Sequence, residues 1–138
     1  MPTGYSGTPL ARKLSLKDGH RVWWEDMPPA VRAEIEGYGY QLQHLIWHEP
    51  PLDAAHVFVK TREELESAIT RLKPLLAPAG FLWISWPKKA ARIPTEITED
   101  VIREIALPTG LVDVKVCAVD DIWSGLKLMI RKELRDES

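Results

Sequence analysis

The chain has 138 residues, of which 45% are hydrophobic and 28% charged, so it is long enough for one buried core and too hydrophobic for a disordered chain. Its 18 basic and 20 acidic residues give a formal net charge of -2, which leaves no overall charge to attract nucleic acid or an anionic membrane. The single cysteine, Cys117, excludes an internal disulfide and is typical of a reducing compartment.

These features predict a soluble, cytoplasmic protein with a single α/β domain over residues 1–138. The start of the chain lacks the basic and apolar regions of a signal peptide, and no segment approaches the ~20 consecutive apolar residues of a membrane span. The polar residues 1–7 and the charged residues 133–138 are expected to be flexible.

Two short helices and two strands are predicted before residue 48. They are a helix from Pro9 to about Leu16, a strand over residues 20–24, a helix over residues 30–36 and a weak strand over residues 40–47. Thr8 is the expected N-cap of the first helix, because Pro9 suits the first helical position, and Gly37 is expected to end the second.

An apolar strand over residues 56–60 leads into the clearest helix of the sequence. Thr61 and Glu64 have the spacing of a capping box at its start. The apolar stripe of this helix comprises Leu65, Ala68, Ile69, Leu72, Leu75 and Leu76. Residues 78–80 are predicted to form a connection, and the apolar residues 81–86 a central strand covered on both faces.

The remaining segments predict a helix and a hairpin. Thr98 is the expected cap of the helix, whose first turn is acidic and therefore suits the positive end of the helix dipole. Residues 111–119 alternate between valines on one face and polar residues on the other, so one face is expected to be partly exposed. Residues 123–131 alternate again, and the short link between the two strands requires an antiparallel hairpin.

Strands that alternate with helices and end in a hairpin predict a Rossmann-like three-layer α/β sandwich, with a mostly parallel sheet and a C-terminal antiparallel hairpin. From His56 onward the order is a strand, a helix, a strand with the residues GFLWI, a helix and a hairpin. This order resembles the later half of a class I methyltransferase fold.

Three segments form a recognisable set: YSGTPLARKL at residues 5–14, WISWPKK at residues 83–89 and GLVDVKVCAVDDIWSGLKLMIRK at residues 110–132. Together they resemble an uncharacterised bacterial family that is classed as a domain of unknown function. The resemblance implies a small stand-alone bacterial protein, and it supplies no catalytic residues.

Charged and aromatic residues follow the predicted strands at the carboxyl edge of the sheet, where open α/β sheets bind ligands. They are Glu25, Asp26, Lys60, Trp86, Lys88, Lys89, Asp120, Asp121, Trp123 and Ser124. Lysines there would hold a phosphate or carboxylate and a tryptophan would stack on the ligand, which predicts an anion or nucleotide site. The alternative is that the charges are solvated strand ends and the tryptophans belong to the core.

The turn after the first predicted strand argues against a cofactor. Methyltransferase and dinucleotide folds place a glycine-rich turn there, which lets the backbone and a helix N-terminus approach the cofactor. Here the residues are Trp24, Glu25, Asp26, Met27, Pro28 and Pro29. We therefore predict no cofactor bound in the usual mode.

Metal binding and covalent catalysis are not predicted either. Of the four histidines, His44 and His48 have the spacing of a helical metal site, but their segment is strand-like and would hold them too far apart. Cys117 lies among valines, and Ser85 lacks the G-x-S-x-G elbow of a hydrolase nucleophile.

Three functions remain as hypotheses. The preferred one is a non-catalytic or vestigial methyltransferase-like domain that binds a small ligand or a protein partner at the carboxyl edge. The second is an enzyme acting on a small anionic substrate, with Asp120 or Asp121 as proton acceptor and Lys88 or Lys89 as anion clamp. The third is a homo- or hetero-oligomeric assembly protein that pairs through its final hairpin strand.

Overall fold

The computed structural model describes residues 7–135, which form a six-stranded sheet with helices on both faces. The strands are β1 (Arg21–Glu25), β2 (Gln43–His44), β3 (Leu52–Phe58), β4 (Leu76–Pro87), β5 (Leu111–Ala118) and β6 (Trp123–Ile130). The α-helices are α1 (Leu10–Lys13), α2 (Pro29–Gly37), α3 (Arg62–Leu72) and α4 (Glu99–Ala106).

The strand order is β2-β1-β3-β4-β6-β5. The strands β1 to β4 pair in parallel, and β6 runs antiparallel to both β4 and β5. This topology confirms the predicted Rossmann-like fold, with its mostly parallel sheet and its antiparallel C-terminal hairpin.

Each face of the sheet is covered by its own pair of helices. On one face, α3 and α4 bury residues such as Leu65 and Ile102 against β3 and β4. On the other face, α1 and α2 bury Leu10 and Val31 against the same sheet. Because both faces are covered, β3 and β4 lie in the core, which explains the continuous apolar sequence of residues 81–86.

The predicted capping box of α3 is present. The Thr61 hydroxyl accepts a hydrogen bond from the backbone N–H of Glu64, and the Glu64 carboxylate accepts one from the N–H of Thr61. Thr98 likewise caps α4 by accepting from Val101 N–H. At α1, by contrast, the N-cap is Pro9 rather than Thr8, so that prediction was wrong.

The largest difference from the predicted boundaries is at β4. Helix α3 ends at Leu72, and Leu76 already pairs with Leu52, so residues 78–80 lie inside β4 as an irregularity and not in a connection. Gly80 is required at this irregularity, because a Cβ atom there would lie 2.5 Å from the carbonyl oxygen of Leu52.

Strand β5 is one of the two edges of the sheet, and most of it is exposed on both faces. Val114 is 49% exposed and Val116 44% exposed, although the alternation of the sequence favoured one buried face. The register shifts between Asp113 and Lys115, which marks a bulge of the kind that protects edge strands. The assembly hypothesis expected the final strand to be free for pairing. Instead β6 is hydrogen-bonded to β4 on one side and to β5 on the other, so it is not an edge strand.

Within residues 7–135, no helix is long and apolar enough to cross a bilayer. The expected flexible ends fall largely on residues 1–6 and 136–138, which lie outside the described part of the chain. Residues Lys132–Leu134 form a 3₁₀ turn.

Trp123→Ala is expected to lower the free energy of unfolding by ~3–5 kcal/mol, because it removes a large buried indole from the core. Trp123 is 9% exposed, and its ring packs edge-on against Phe58 with the centroids 5.0 Å apart. Urea denaturation measures the loss. Trp47→Ala is the matched control, since Trp47 is 70% exposed and its removal is expected to cost less than ~0.5 kcal/mol. Similar small losses for both variants would show that Trp123 is not a core residue.

Candidate functional site

The strands that follow β1 in the chain lie on opposite sides of it, which places a topological switch point between β1 and β3. From β1 the chain passes to β2 on one side, and it returns to β3 on the other side. Crevices at such points, outside the carboxyl ends of the strands, are where open α/β sheets bind ligands.

A cavity of about 590 Å³ lies at this switch point, between the ends of β1 and β3 and the start of α3. Its charged lining residues are Glu25, Asp26, Glu63, Glu64, Glu96 and Arg71. Five of these six are carboxylates, so the cavity is strongly acidic. Glu25 and Asp26 were predicted at this edge; Arg71, Glu63 and Glu96 were not.

The Glu25 carboxylate is fully engaged at the end of β1. Arg71 donates to it from both terminal nitrogens, at 2.8 and 2.9 Å, and Trp23 Nε1 donates at 2.7 Å. The paired hydrogen bonds from Arg71 hold the pKa of Glu25 below its usual value, in spite of its partial burial. Arg71 in turn is oriented by Ser67, whose hydroxyl accepts from Nε at 3.0 Å.

The residues after Glu25 leave few groups for a cofactor to bind. Asp26 adopts a left-handed backbone with φ of 56°, which a glycine adopts at no steric cost. Pro28 is the N-cap of α2 and Pro29 its first residue. Neither proline has an N–H, and the Val31 N–H already donates to Pro28 O, so this helix N-terminus offers little to an anionic group.

Two other carboxylates of the cavity are used by the protein itself. Glu64 accepts from the N–H groups of Lys60 and Thr61, and Glu96 accepts from the N–H of Arg62. The backbone N–H groups at the start of α3 are therefore already bonded to these two carboxylates. Asp26 and Glu63 make no hydrogen bond or ion pair within residues 7–135, so they are the carboxylates open to a ligand.

The predicted basic and aromatic residues lie in a second, more open depression, next to α4 and the start of β6. Trp86, Lys88, Lys89 and Ser124 line it together with residues of the α4 N-terminus. Arg103 also lines it, but its guanidinium is bonded to three carboxylates, those of Glu99, Asp100 and Asp113. The acidic and basic residues of the predicted edge thus do not share one site.

The remaining predicted residues have local roles in the structure. Lys60 is exposed, and its carbonyl accepts from Thr95 Oγ1 and the N–H of Glu96. Asp120 Oδ1 accepts from the N–H groups of Ile122 and Trp123, at 2.8 Å each, and so closes the hairpin turn. Asp121 is exposed, and Trp123 is buried in the core. None of the four lines either cavity described above.

A buried polar pair joins β3 to β4 inside the sheet. His56 Nε2 lies 2.6 Å from Ser85 Oγ, and both residues are almost completely buried. Burial lowers the pKa of His56 to about 3. Gly125 on β6 makes room for the pair, because a Cβ there would lie 3.1 Å from Ser85 Oγ.

Two of the other three histidines contact tryptophans. His44 packs against Trp24 and His48 against Trp23. Within the described residues 7–135, no group of three or more His, Cys, Asp or Glu side chains has an arrangement that could hold a metal ion. Burial raises the pKa of the Cys117 thiol, which keeps it protonated and weakly reactive.

No protein-family model and no curated protein sequence matches the chain, but solved structures do. A SAM-dependent methyltransferase from Aquifex aeolicus superposes with a TM-score of 0.61 at 17% identity, over 88% of this chain and 87% of that one. A ribosomal protein methylase from Lactobacillus delbrueckii subsp. bulgaricus gives 0.53 at 13% identity, over 88% and 77%. LepI in complex with SAH gives 0.54 at 12% identity, over 88% of this chain and only 39% of LepI.

These neighbours show that the chain has the Rossmann-like fold of class I methyltransferases. At such low identities the likeness concerns the fold and not the activity. The sequence predicted a likeness to the later half of this fold, from residue 56 onward. The structural likeness covers 88% of the chain.

Acid is expected to destabilise the protein through His56. The unfolded chain binds a proton at this residue below its ordinary pKa of 6.5, whereas the folded protein does so only near pH 3. Stability from this group is therefore complete above pH 6.5 and falls as the pH is lowered, by about 2 kcal/mol between pH 7 and pH 5.

Urea denaturation of the wild type and of His56→Gln at both pH values tests this effect. Glutamine cannot titrate and can still bond Ser85, so the variant is expected to lose about 2 kcal/mol less than the wild type over the same interval. Equal losses in the two proteins would contradict a neutral, buried His56.

Proposed function

We propose that this chain is a methyltransferase-like domain that does not transfer methyl groups, and that it binds a small ligand or a protein partner at the carboxyl ends of its strands. The turn after β1 carries the proposal. At the position where this fold brings glycine backbone to the cofactor, the chain has Glu25, bonded to Arg71 and Trp23, followed by Asp26 and two prolines.

The geometry of α2 supports the same conclusion. A cofactor that binds at a helix N-terminus needs free N–H groups and close backbone approach. Pro28 and Pro29 remove two of these N–H groups.

The cavity at the switch point restricts the ligand by charge. Among the described residues 7–135, Arg71 is the one cation that lines it, and it is already paired with Glu25, while Asp26 and Glu63 have no partner there. A phosphate group entering this cavity would be repelled, so we expect the bound group to be neutral or cationic, such as an amine of a small molecule or of a partner protein.

The other two hypotheses have less support. The enzyme hypothesis requires Asp120 or Asp121 to face Lys88 or Lys89 across a substrate, but only the lysines line a cavity, and Asp120 is used by its turn. The assembly hypothesis requires a free edge on the final strand, but the edges of the sheet are the two-residue β2 and the bulged β5. We also propose a cytoplasmic location, because the single Cys117 has no internal disulfide partner.

Isothermal titration with S-adenosylmethionine is expected to give no binding heat up to about 1 mM ligand, a concentration at which a site of ~4 kcal/mol is already half filled. The Aquifex aeolicus methyltransferase, titrated in the same buffer, is the positive control. A saturable, stoichiometric binding heat with this chain would refute the proposal that it has no binding site for S-adenosylmethionine.

A further inference from the structure

A cavity of about 310 Å³ lies at the opposite, amino edge of the sheet. It is formed by the segment between α1 and β1, by the irregular first part of β4 and by the second half of β6. Its polar lining residues are Ser15, Lys17, His20, Asp53 and Lys127, and its more accessible apolar lining residues are Ala79 and Met129.

Lys127 is the unusual residue of this cavity. It projects from the interior strand β6, its Nζ donates to Ser15 Oγ at 2.9 Å, and it lies 4.5 Å from the centroid of the Phe81 ring. Within residues 7–135 it forms no ion pair with a carboxylate. Its pKa is lowered, first by burial and then by the positive charges of Lys115 and Lys17. A half-buried ammonium without a counterion is costly, so an anion beside it would be stabilised.

The neighbouring groups are also hydrogen-bond donors. His20 Nδ1 accepts from the N–H of Lys17 at 3.2 Å, and the lowered pKa of His20 keeps its ring neutral, so the proton resides on Nε2. Ser15 Oγ accepts from Lys127 and can donate its own proton. The Lys17 side chain is exposed and has no partner among the described residues.

The single acid in the cavity does not cancel these donors. Asp53 Oδ2 accepts from the N–H of Arg21 at 2.8 Å, and two lysines outweigh its charge. Ser15 holds a left-handed backbone with φ of 65°, a strained conformation for a residue with a side chain. Such strain recurs where the backbone is fixed to present a group to a ligand.

We propose that this amino-edge cavity is an oxyanion site, in which Lys127, Lys17 and Ser15 bind the carboxylate or phosphate group of a small molecule whose apolar part contacts Ala79 and Met129. The volume suits a ligand of this size. The site is separate from the acidic cavity at the carboxyl edge, and it does not depend on the function proposed there.

The competing explanation is a purely structural role for Lys127. Its positive charge lies beside Ser15, just after the C-terminus of α1, where a cation stabilises the helix dipole. Lys115 provides a matched control, because its Nζ donates to Lys13 O at 2.8 Å in the same turn but does not line the cavity. Lys127→Met keeps the apolar stem and removes the charge. Lys17→Met removes the second charge at an exposed position, where the fold does not depend on it.

The test is a titration by ¹H–¹⁵N NMR with sodium acetate and, separately, with sodium phosphate, at constant ionic strength set with sodium chloride. We expect saturable shifts at residues 15–20 and 127, and a rise in the Lys127 pKa at saturation. Lys127→Met and Lys17→Met are each expected to weaken binding at least about tenfold, and Lys115→Met less than about twofold. Tighter acetate binding would identify a carboxylate ligand, and tighter phosphate binding a phosphate ligand.

The proposal would be overturned by shifts that do not saturate by ~50 mM of either anion, by shifts reproduced by chloride alone, or by unchanged affinity in Lys17→Met. If Lys127→Met does not fold, Lys17→Met decides the matter, because its side chain makes no contact that the fold requires. An effect of Lys115→Met equal to that of Lys17→Met would show general attraction by surface charge and would also refute a built site.

Discussion

The carboxylate of Glu25 accepts three hydrogen bonds, two from Arg71 and one from Trp23, and this cluster fixes the end of β1 against α3. Arg71 lies 46 residues further along the chain, so the contact joins the first strand to the helix after β3. A bidentate arginine pair is geometrically exact and charge-assisted, and a third donor leaves the carboxylate little freedom to turn away. The conformation of the turn that follows depends on this anchor.

The chain has the fold of class I methyltransferases, and its turn after β1 differs from the glycine-rich turn that is usual at this position of the fold. Backbone and helix dipole would normally face a cofactor there. In this chain the same place has a bonded carboxylate, a left-handed Asp26 and two prolines. The sheet and its two helical layers do not require a cofactor, because their cores are apolar and closed by α1 to α4. A fold can therefore persist while its site changes.

Periodicity and local chemistry explain why much of the fold could be predicted. The Thr61–Glu64 box, the alternation in β6 and the apolar run of β4 each reflect contacts between near neighbours or burial on both faces. The start of β4 was missed because its pairing with Leu52 is a long-range contact that no local pattern reveals. The exposure of β5 was missed because alternation indicates a strand but not its place in the sheet.

The candidate site could be predicted only in part, for a related reason. Strand ends indicate which edge a residue lies on, so Glu25, Asp26, Lys88 and Lys89 were placed at one edge of the sheet. They do not indicate the distance between residues along that edge, and the acids and lysines line two separate cavities. Arg71 was missed because it lies on the exposed flank of α3, where an arginine resembles any solvated residue. Lys17, Lys127 and Ser15 of the amino-edge cavity were missed because the rule for open α/β sheets predicts ligands only at the carboxyl ends of the strands.

The proposal that the turn after β1 leaves no binding site for the cofactor is most directly tested by a crystal structure from crystals soaked in millimolar S-adenosylmethionine. The Glu25 carboxylate is expected to stay bonded to Arg71 and Trp23, with no ligand density against residues 24–29. A ligand seated at the N-terminus of α2, with the Glu25–Arg71 pair opened, would contradict the proposal that this chain has the methyltransferase fold without its cofactor site.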